Sequence, residues 1–153
     1  MIRTLMIVGL LATGGTQAQA NSLLGKWDCN GREGRGTAIR TLQEYRANGQ
    51  FYHLANLAMG DRRGRIDASV ALRGTWDVDG GNTLVENVKT ARMRSLAANG
   101  QDISGTAVGR QMAKDLPKRM AGPNKASRTI IRFVSPREFR MVSGRIKGTC
   151  TKR

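Results

Sequence analysis

The stretch Leu24-Gly25-Lys26-Trp27-Asp28-Cys29 limits the possible folds more than any other part of the chain. Leu23, Gly25, Trp27 and Cys29 fall at period two, which places them on one face of a β-strand. Cys29 has one possible covalent partner, because the chain has 2 cysteines and the other is Cys150. A bond between them would tie the first strand to the last few residues of the domain. In the chain-entropy description, closing so long a loop stabilises the fold by about 4–5 kcal/mol. The alternative is a pair of free, buried thiols. Two cysteines and 1 histidine do not supply a zinc cage, so no metal is expected.

The first stretch is answered by Leu72-Arg73-Gly74-Thr75-Trp76-Asp77-Val78, a second Gly-x-Trp-Asp. Val70, Leu72, Gly74, Trp76 and Val78 again share one face of a strand. Between the two copies, Thr37 to Arg46 and Gln50 to Met59 read as strands around Ala47-Asn48-Gly49. Asn-Gly supplies the positive backbone angles of a tight hairpin turn. Asn30 to Gly36 is expected to be a glycine-rich loop, as is Gly60 to Arg65 with its three arginines. The spaced glycines of the first loop are not a dinucleotide-binding fingerprint, since a strand rather than a helix follows them. Asp79-Gly80-Gly81-Asn82 turns the chain, and Thr83 to Thr90 returns it.

From Ala91 the alternation breaks down, and Arg94 to Gly105 reads as loop. Val108, Met112, Leu116 and Met120 then recur every four residues, with Arg110, Lys114 and Lys118 on the opposite side. That is a basic amphipathic helix near 106–121. Pro117 removes a helix hydrogen bond and disfavours helical geometry at Leu116, so a stop or kink is expected there. Gly122-Pro123-Asn124 terminates the segment. Arg128 to Val134 and Glu138 to Ser143 form a last hairpin, with Ile131, Phe133, Phe139 and Met141 facing inward. Arg145 to Thr151 carries Cys150 back toward the first strand. The expected fold is all-β: about eight antiparallel strands in an up-and-down barrel, with one inserted helix. A closed barrel sets its first and last strands side by side, as the cysteine pair also requires.

The ends and the charge bound the setting. Arg3 followed by an apolar run from Leu5 to Leu11 and by Ala18-Gln19-Ala20 has the form of a secretory signal peptide cleaved after Ala20. The run is too short to span a membrane. The expected division is residues 1–20 as signal and 21–153 as one barrel domain, with a periplasmic or secreted location. Export is also what makes a disulfide the natural state of the two cysteines. Without Arg3 the chain has 25 basic and 11 acidic residues, a net charge of +14. Ile103 to Arg153 holds 13 of the bases and only Asp115 and Glu138 as acids, a net +11. Such asymmetry points to an anionic partner or surface. Arg110, Lys114, Lys118, Arg119, Lys125 and Arg128 are the candidate residues for it.

Gly25-Lys26-Trp27, following Asn21, resembles the Gly-x-Trp signature of lipocalins and the wider calycin group. The chain is similar to small exported bacterial proteins of lipocalin-like type, with Trp-x-Cys at one end and a cysteine near the other. The resemblance implies an eight-stranded barrel plugged at one end by a tryptophan. No Thr-Asp-Tyr follows in mid-chain, where Gly74-Thr75-Trp76-Asp77 stands instead. Gly25, Trp27, Gly74 and Trp76 are therefore expected to be structural, with both indoles in the core.

No catalytic constellation emerges. His53, the only histidine, is expected to be a structural or surface residue, and Asp77 and Asp79 are expected to be solvated turn acids. Few aromatic residues are free to stack on bases, which disfavours nucleic acid. The expectation is a non-catalytic exported protein without a cofactor. It would bind a small apolar ligand within the barrel or an anionic envelope component on its surface. The alternative is a cell-envelope interaction protein, such as an inhibitor or a virulence or secretion factor, that uses the barrel as a scaffold.

Overall fold

The computed structural model describes residues 15–34, 36–61, 64–124 and 126–153. The strands are β1 (Gly25–Glu33), β2 (Thr37–Tyr45), β3 (Gln50–Asp61), β4 (Gly64–Asp79), β5 (Thr83–Ala98), β6 (Gln101–Asp102), β7 (Ala126–Ser135), β8 (Glu138–Ser143) and β9 (Ile146–Lys152). Two helices accompany them, α1 (Gly15–Leu23) and α2 (Ala107–Met120). The sheet runs β4-β3-β2-β1-β9-β8-β7-β5-β6, and β4 also pairs with β5. The sheet thus closes on itself as an eight-stranded antiparallel barrel, with β6 outside it. Each barrel strand lies beside its neighbours in sequence, and β9 returns to β1, as the alternation pattern and the two cysteines predict. No described helix is long and apolar enough to cross a membrane.

Register fixes what points inward. Cys29 lies directly opposite Cys150, the two are bonded, and their Cα atoms are 4.0 Å apart. Inward positions continue along β4 through Ala68, Val70, Leu72, Gly74, Trp76 and Val78. On β5 they run Leu84, Glu86, Val88, then Ala91 and Met93, then Leu96. The phase changes twice because Lys89 and Arg94 have no partner on β4, so each is a bulge that adds one residue. The expected loop from Arg94 is therefore mostly strand: β5 reaches Ala98. Asn30 to Glu33 also belongs to β1 rather than to a loop, because both β2 and β9 pair with it along its length. The loop at Gly60–Arg65 shrinks in the same way, since β3 reaches Asp61 and β4 starts at Gly64.

β5 pairs with β7 only over Thr83–Asn87. β6 takes the far end of the edge left over, and α2 packs along β5 with Leu116, Met120 and Ala121 against the core. Thr106 caps α2 by accepting from the Gly109 N–H at 3.0 Å. Of the stop or kink expected at Pro117, the stop does not occur: the helix runs on to Met120, in keeping with the expected span near 106–121. Pro117 lies in the last turn, where its missing N–H costs one bond, and its own carbonyl accepts from Ala121 at 3.0 Å. The Gly122 N–H then bonds to the Val88 carbonyl, anchoring the helix exit to β5.

Trp27 is fully buried, and its indole N–H donates to the Leu23 carbonyl at 2.7 Å. Its ring meets Phe139 at 4.8 Å and Phe133 at 6.2 Å, both edge-on. Leu23, also fully buried, brings the end of α1 against the same cluster. α1 contains the expected cleavage point after Ala20; the preceding part of the expected signal, residues 1–14, lies outside the described residues. Gly25 joins α1 to β1 at φ +113°, a conformation that a side chain would strain.

Candidate functional site

Three surfaces or clusters combine charge and shape. The first is a polar group inside the barrel, at the end that carries the β2–β3 turn. Tyr45 on β2, His53 on β3 and Glu86 on β5 all point inward. The Tyr45 hydroxyl donates to Glu86 Oε1 at 2.8 Å and lies 2.9 Å from Gln43 Oε1. The single phenolic proton goes to the charged carboxylate, the stronger acceptor. His53 Nε2 is 3.2 Å from the same Glu86 oxygen but is not aligned to form a hydrogen bond. The imidazole sits 4.4 Å from the Phe51 ring and 5.4 Å from that of Tyr45. Burial pushes the His53 pKa down, and the nearby Glu86 charge offsets part of that. Burial, with Glu86 adding to it, pushes the Tyr45 phenol well up.

Carboxylate, imidazole and phenol together are a set capable of acid–base chemistry, but geometry decides its use. A general base must come within hydrogen-bond reach of its substrate. Tyr45 and His53 are buried, and none of the three side chains lines the grooves described below. The cluster is a buried network that brings β2, β3 and β5 together, and His53 lies within it rather than on the surface. Trp76 completes it at 5.3 Å from Tyr45, half-buried, with its indole N–H on the Arg46 carbonyl at 3.2 Å. The two Gly-x-Trp-Asp copies thus differ. Trp27 is a plug, whereas Trp76 is a cover over the hairpin. Gly74 is required because a Cβ there would collide with the Asn87 carbonyl and the Phe51 ring.

The second candidate is the α2 region. Arg110, Lys114 and Lys118 are exposed on the outer face of the helix, as its periodicity predicts. They do not converge on a concavity. Arg110 donates to the Gly105 carbonyl, while Lys118 and Arg119 lie in the last turn, where cations offset the helix dipole. Arg128 belongs to β7 and forms a solvent-exposed ion pair with Asp79 at the β4–β5 turn. Lys125 lies outside the described residues. Val108, Met112 and Leu116 line an apolar groove of about 360 Å³ beside Arg119.

The third candidate is absent from the sequence-based expectations. On the outer face of the barrel an open groove of about 700 Å³ crosses from Lys147 on β9, over β1 to β4, to Ser95 on β5. Ala38, Ala58, Asn30, Asn56 and Ser69 form its floor, and Arg32, Arg40, Arg65 and Lys147 stand over it. A smaller hollow of about 230 Å³ continues it toward Gly34 and Gly60. Asp28 pairs with Arg40 at 2.7 Å, and Asp67 with Arg65 at 2.7 Å. The Arg40 hydrogen bond holds the Asp28 carboxyl below its ordinary range. Arg32 and Lys147 stand directly opposite each other on β1 and β9. Neither forms an ion pair among the described residues. One sequence signal could have found them. Counting three residues outward from the Cys29–Cys150 pair on two antiparallel strands lands on Arg32 and Lys147.

No protein-family model matches the chain, and no curated protein matches it. The eight-stranded antiparallel barrel fits a lipocalin-like, calycin-type fold.

Proposed function

We propose that this protein is an exported, non-catalytic binding protein, lipocalin-like in fold, whose partner is an anionic component of the cell envelope. The observation that carries this reading is where its cations lie. Among the described residues they are on the outer surface, most of them without an ion-pair partner, while the barrel axis is occupied. Phe133, Phe139, Ile131 and the Cys29–Cys150 bridge fill the interior around the Trp27 plug. A filled interior also favours a scaffold role, as in an inhibitor or an accessory factor of a secretion or virulence system, over a ligand carried inside. A small apolar ligand finds its best support in the groove along Val108, Met112 and Leu116.

The export reading rests on the signal-like first twenty residues and agrees with a disulfide-bonded fold. Retention on immobilised heparin and on lipopolysaccharide, eluted with rising salt, tests the anionic partner. Elution later than a basic control protein of equal net charge is expected, since a specific site outlasts diffuse attraction under screening. Co-elution with that control would reject it.

A further inference from the structure

We propose that the outer groove across β9, β1, β2, β3 and β4 is the seat of an anionic polysaccharide chain, with Arg32 and Lys147 as its anion-holding centre. This deepens the envelope-binding reading and rests on it. Like charges set directly opposite on neighbouring strands are destabilising. The barrel nevertheless places Arg32 against Lys147 in register, and neither has an ion-pair partner among the described residues. In the adjoining row of the same outer face, Arg132 faces Arg140 on β7 and β8. An anion lying between such cations removes the repulsion and takes hydrogen bonds from both. The guanidinium offers a planar fork to a sulfate, phosphate or carboxylate, and the ammonium a point charge.

The remaining lining selects the class of polymer. Ala38 and Ala58 are directly opposite each other in the β2–β3 register and keep the floor low enough for a chain to lie flat. Asn30, Asn56 and Ser69 offer amide and hydroxyl groups suited to sugar hydroxyls. No aromatic ring lines the groove. Base stacking is therefore missing, which disfavours nucleic acid. Aromatic anchors of the kind that dominate protein interfaces are missing as well. At about 700 Å³, with a lining drawn from six strands, the groove has room for several linked sugars rather than a single ion. Arg40 and Arg65 are braced by Asp28 and Asp67, while Arg32 and Lys147 are in no such pair among the described residues.

The test is calorimetric titration of the purified protein and three variants with a heparin octasaccharide in low salt. Arg32→Gln/Lys147→Gln and Lys114→Gln/Lys118→Gln each remove two exposed charges, one pair from the groove and one from α2. Ala58→Leu fills the floor and leaves the charge unchanged. The groove pair is expected to weaken binding roughly tenfold, and Ala58→Leu several-fold, while the helix pair changes it less than about threefold. Equal losses from the two double variants, with none from Ala58→Leu, would show attraction by net charge alone and overturn the seat. A loss confined to the helix pair would also overturn it, yet leave the envelope-anion reading standing. Tighter groove binding by polyglutamate or single-stranded DNA of equal charge would overturn the polysaccharide assignment. If the unaltered protein binds heparin no better than a charge-matched control, the envelope-anion reading falls first and the seat with it.

Discussion

Reducing the Cys29–Cys150 bond isolates what closing the chain is worth. The two cysteines are 121 residues apart. In the chain-entropy description a loop of that length stabilises the native state by about 5 kcal/mol. The cysteines are 1% and 0% exposed, and the β1–β9 ladder holds them together whether or not they are bonded. Reduction therefore leaves native packing nearly intact and acts chiefly on the unfolded chain. Because the sulfurs are buried, reductant must wait for opening, so the reduced protein is best made by refolding in reductant. Urea titrations of both forms, followed by far-UV circular dichroism, are expected to differ by about 3–5 kcal/mol. The reduced form should also show a steeper slope, because its unfolded chain exposes more surface. For a domain of this size that is a large part of a total of about 5–15 kcal/mol. The thermal midpoint should fall by about 10–20 °C. A difference below about 1 kcal/mol would refute the reasoning, since it would mean that the unfolded chain keeps its ends together without the bond.

Trp27→Ala removes a fully buried ring and leaves the Leu23 carbonyl without its donor; a loss of about 3–5 kcal/mol is expected in the same titration, and about half as much for Trp27→Phe. Gly74→Val drives a side chain into the Asn87 carbonyl and the Phe51 ring; destabilisation of at least about 2 kcal/mol is expected, and a neutral result would mean that β4 and β5 separate easily at the bulge. His53 gives a pH dependence with a definite sign. Its folded pKa lies below the unfolded 6.5, so as pH falls through about 6.5 the unfolded chain takes up a proton that the native imidazole refuses. Stability is then lost toward acid, by up to about 1.4 kcal/mol per pH unit, until the folded pKa is reached. His53→Phe keeps the ring against Phe51 and Tyr45 and should flatten the dependence between pH 7.5 and 5. An unchanged slope in that variant would assign the acid loss to other groups.

What could be read from the sequence followed from local rules. Alternation at period two gave the strand character of Gly25 to Cys29, Thr37 to Met59 and Val70 to Val78, and turn residues gave Asn48-Gly49 and Gly80-Gly81; Leu23, expected on the same strand face, instead ends α1. The fourfold spacing from Val108 to Met120 gave the helix, and the positions of Cys29 and Cys150 gave the closure. Local rules failed where a partner strand decides. The alternation of β5 is interrupted by bulges at Lys89 and Arg94, and a bulge exists only relative to the neighbour that it is out of step with. Gly31 reads as loop punctuation but belongs to a strand paired on both sides. Pro117 reads as a stop or a kink, yet α2 runs on to Met120, with Leu116 and Met120 packed against the core.

By itself the sequence determined the class of fold, the joining of its two ends and the excess of positive charge, because periodicity, cysteine count and composition are properties of the chain. Only the tertiary structure decided which charges meet. Arg32 and Lys147 are more than a hundred residues apart in the chain and opposite each other on the barrel. His53 and Glu86 come together across the interior. Arg128, grouped by sequence with the helix cations, pairs with Asp79. Register between distant strands sets each of these meetings, and register is fixed when the whole barrel closes.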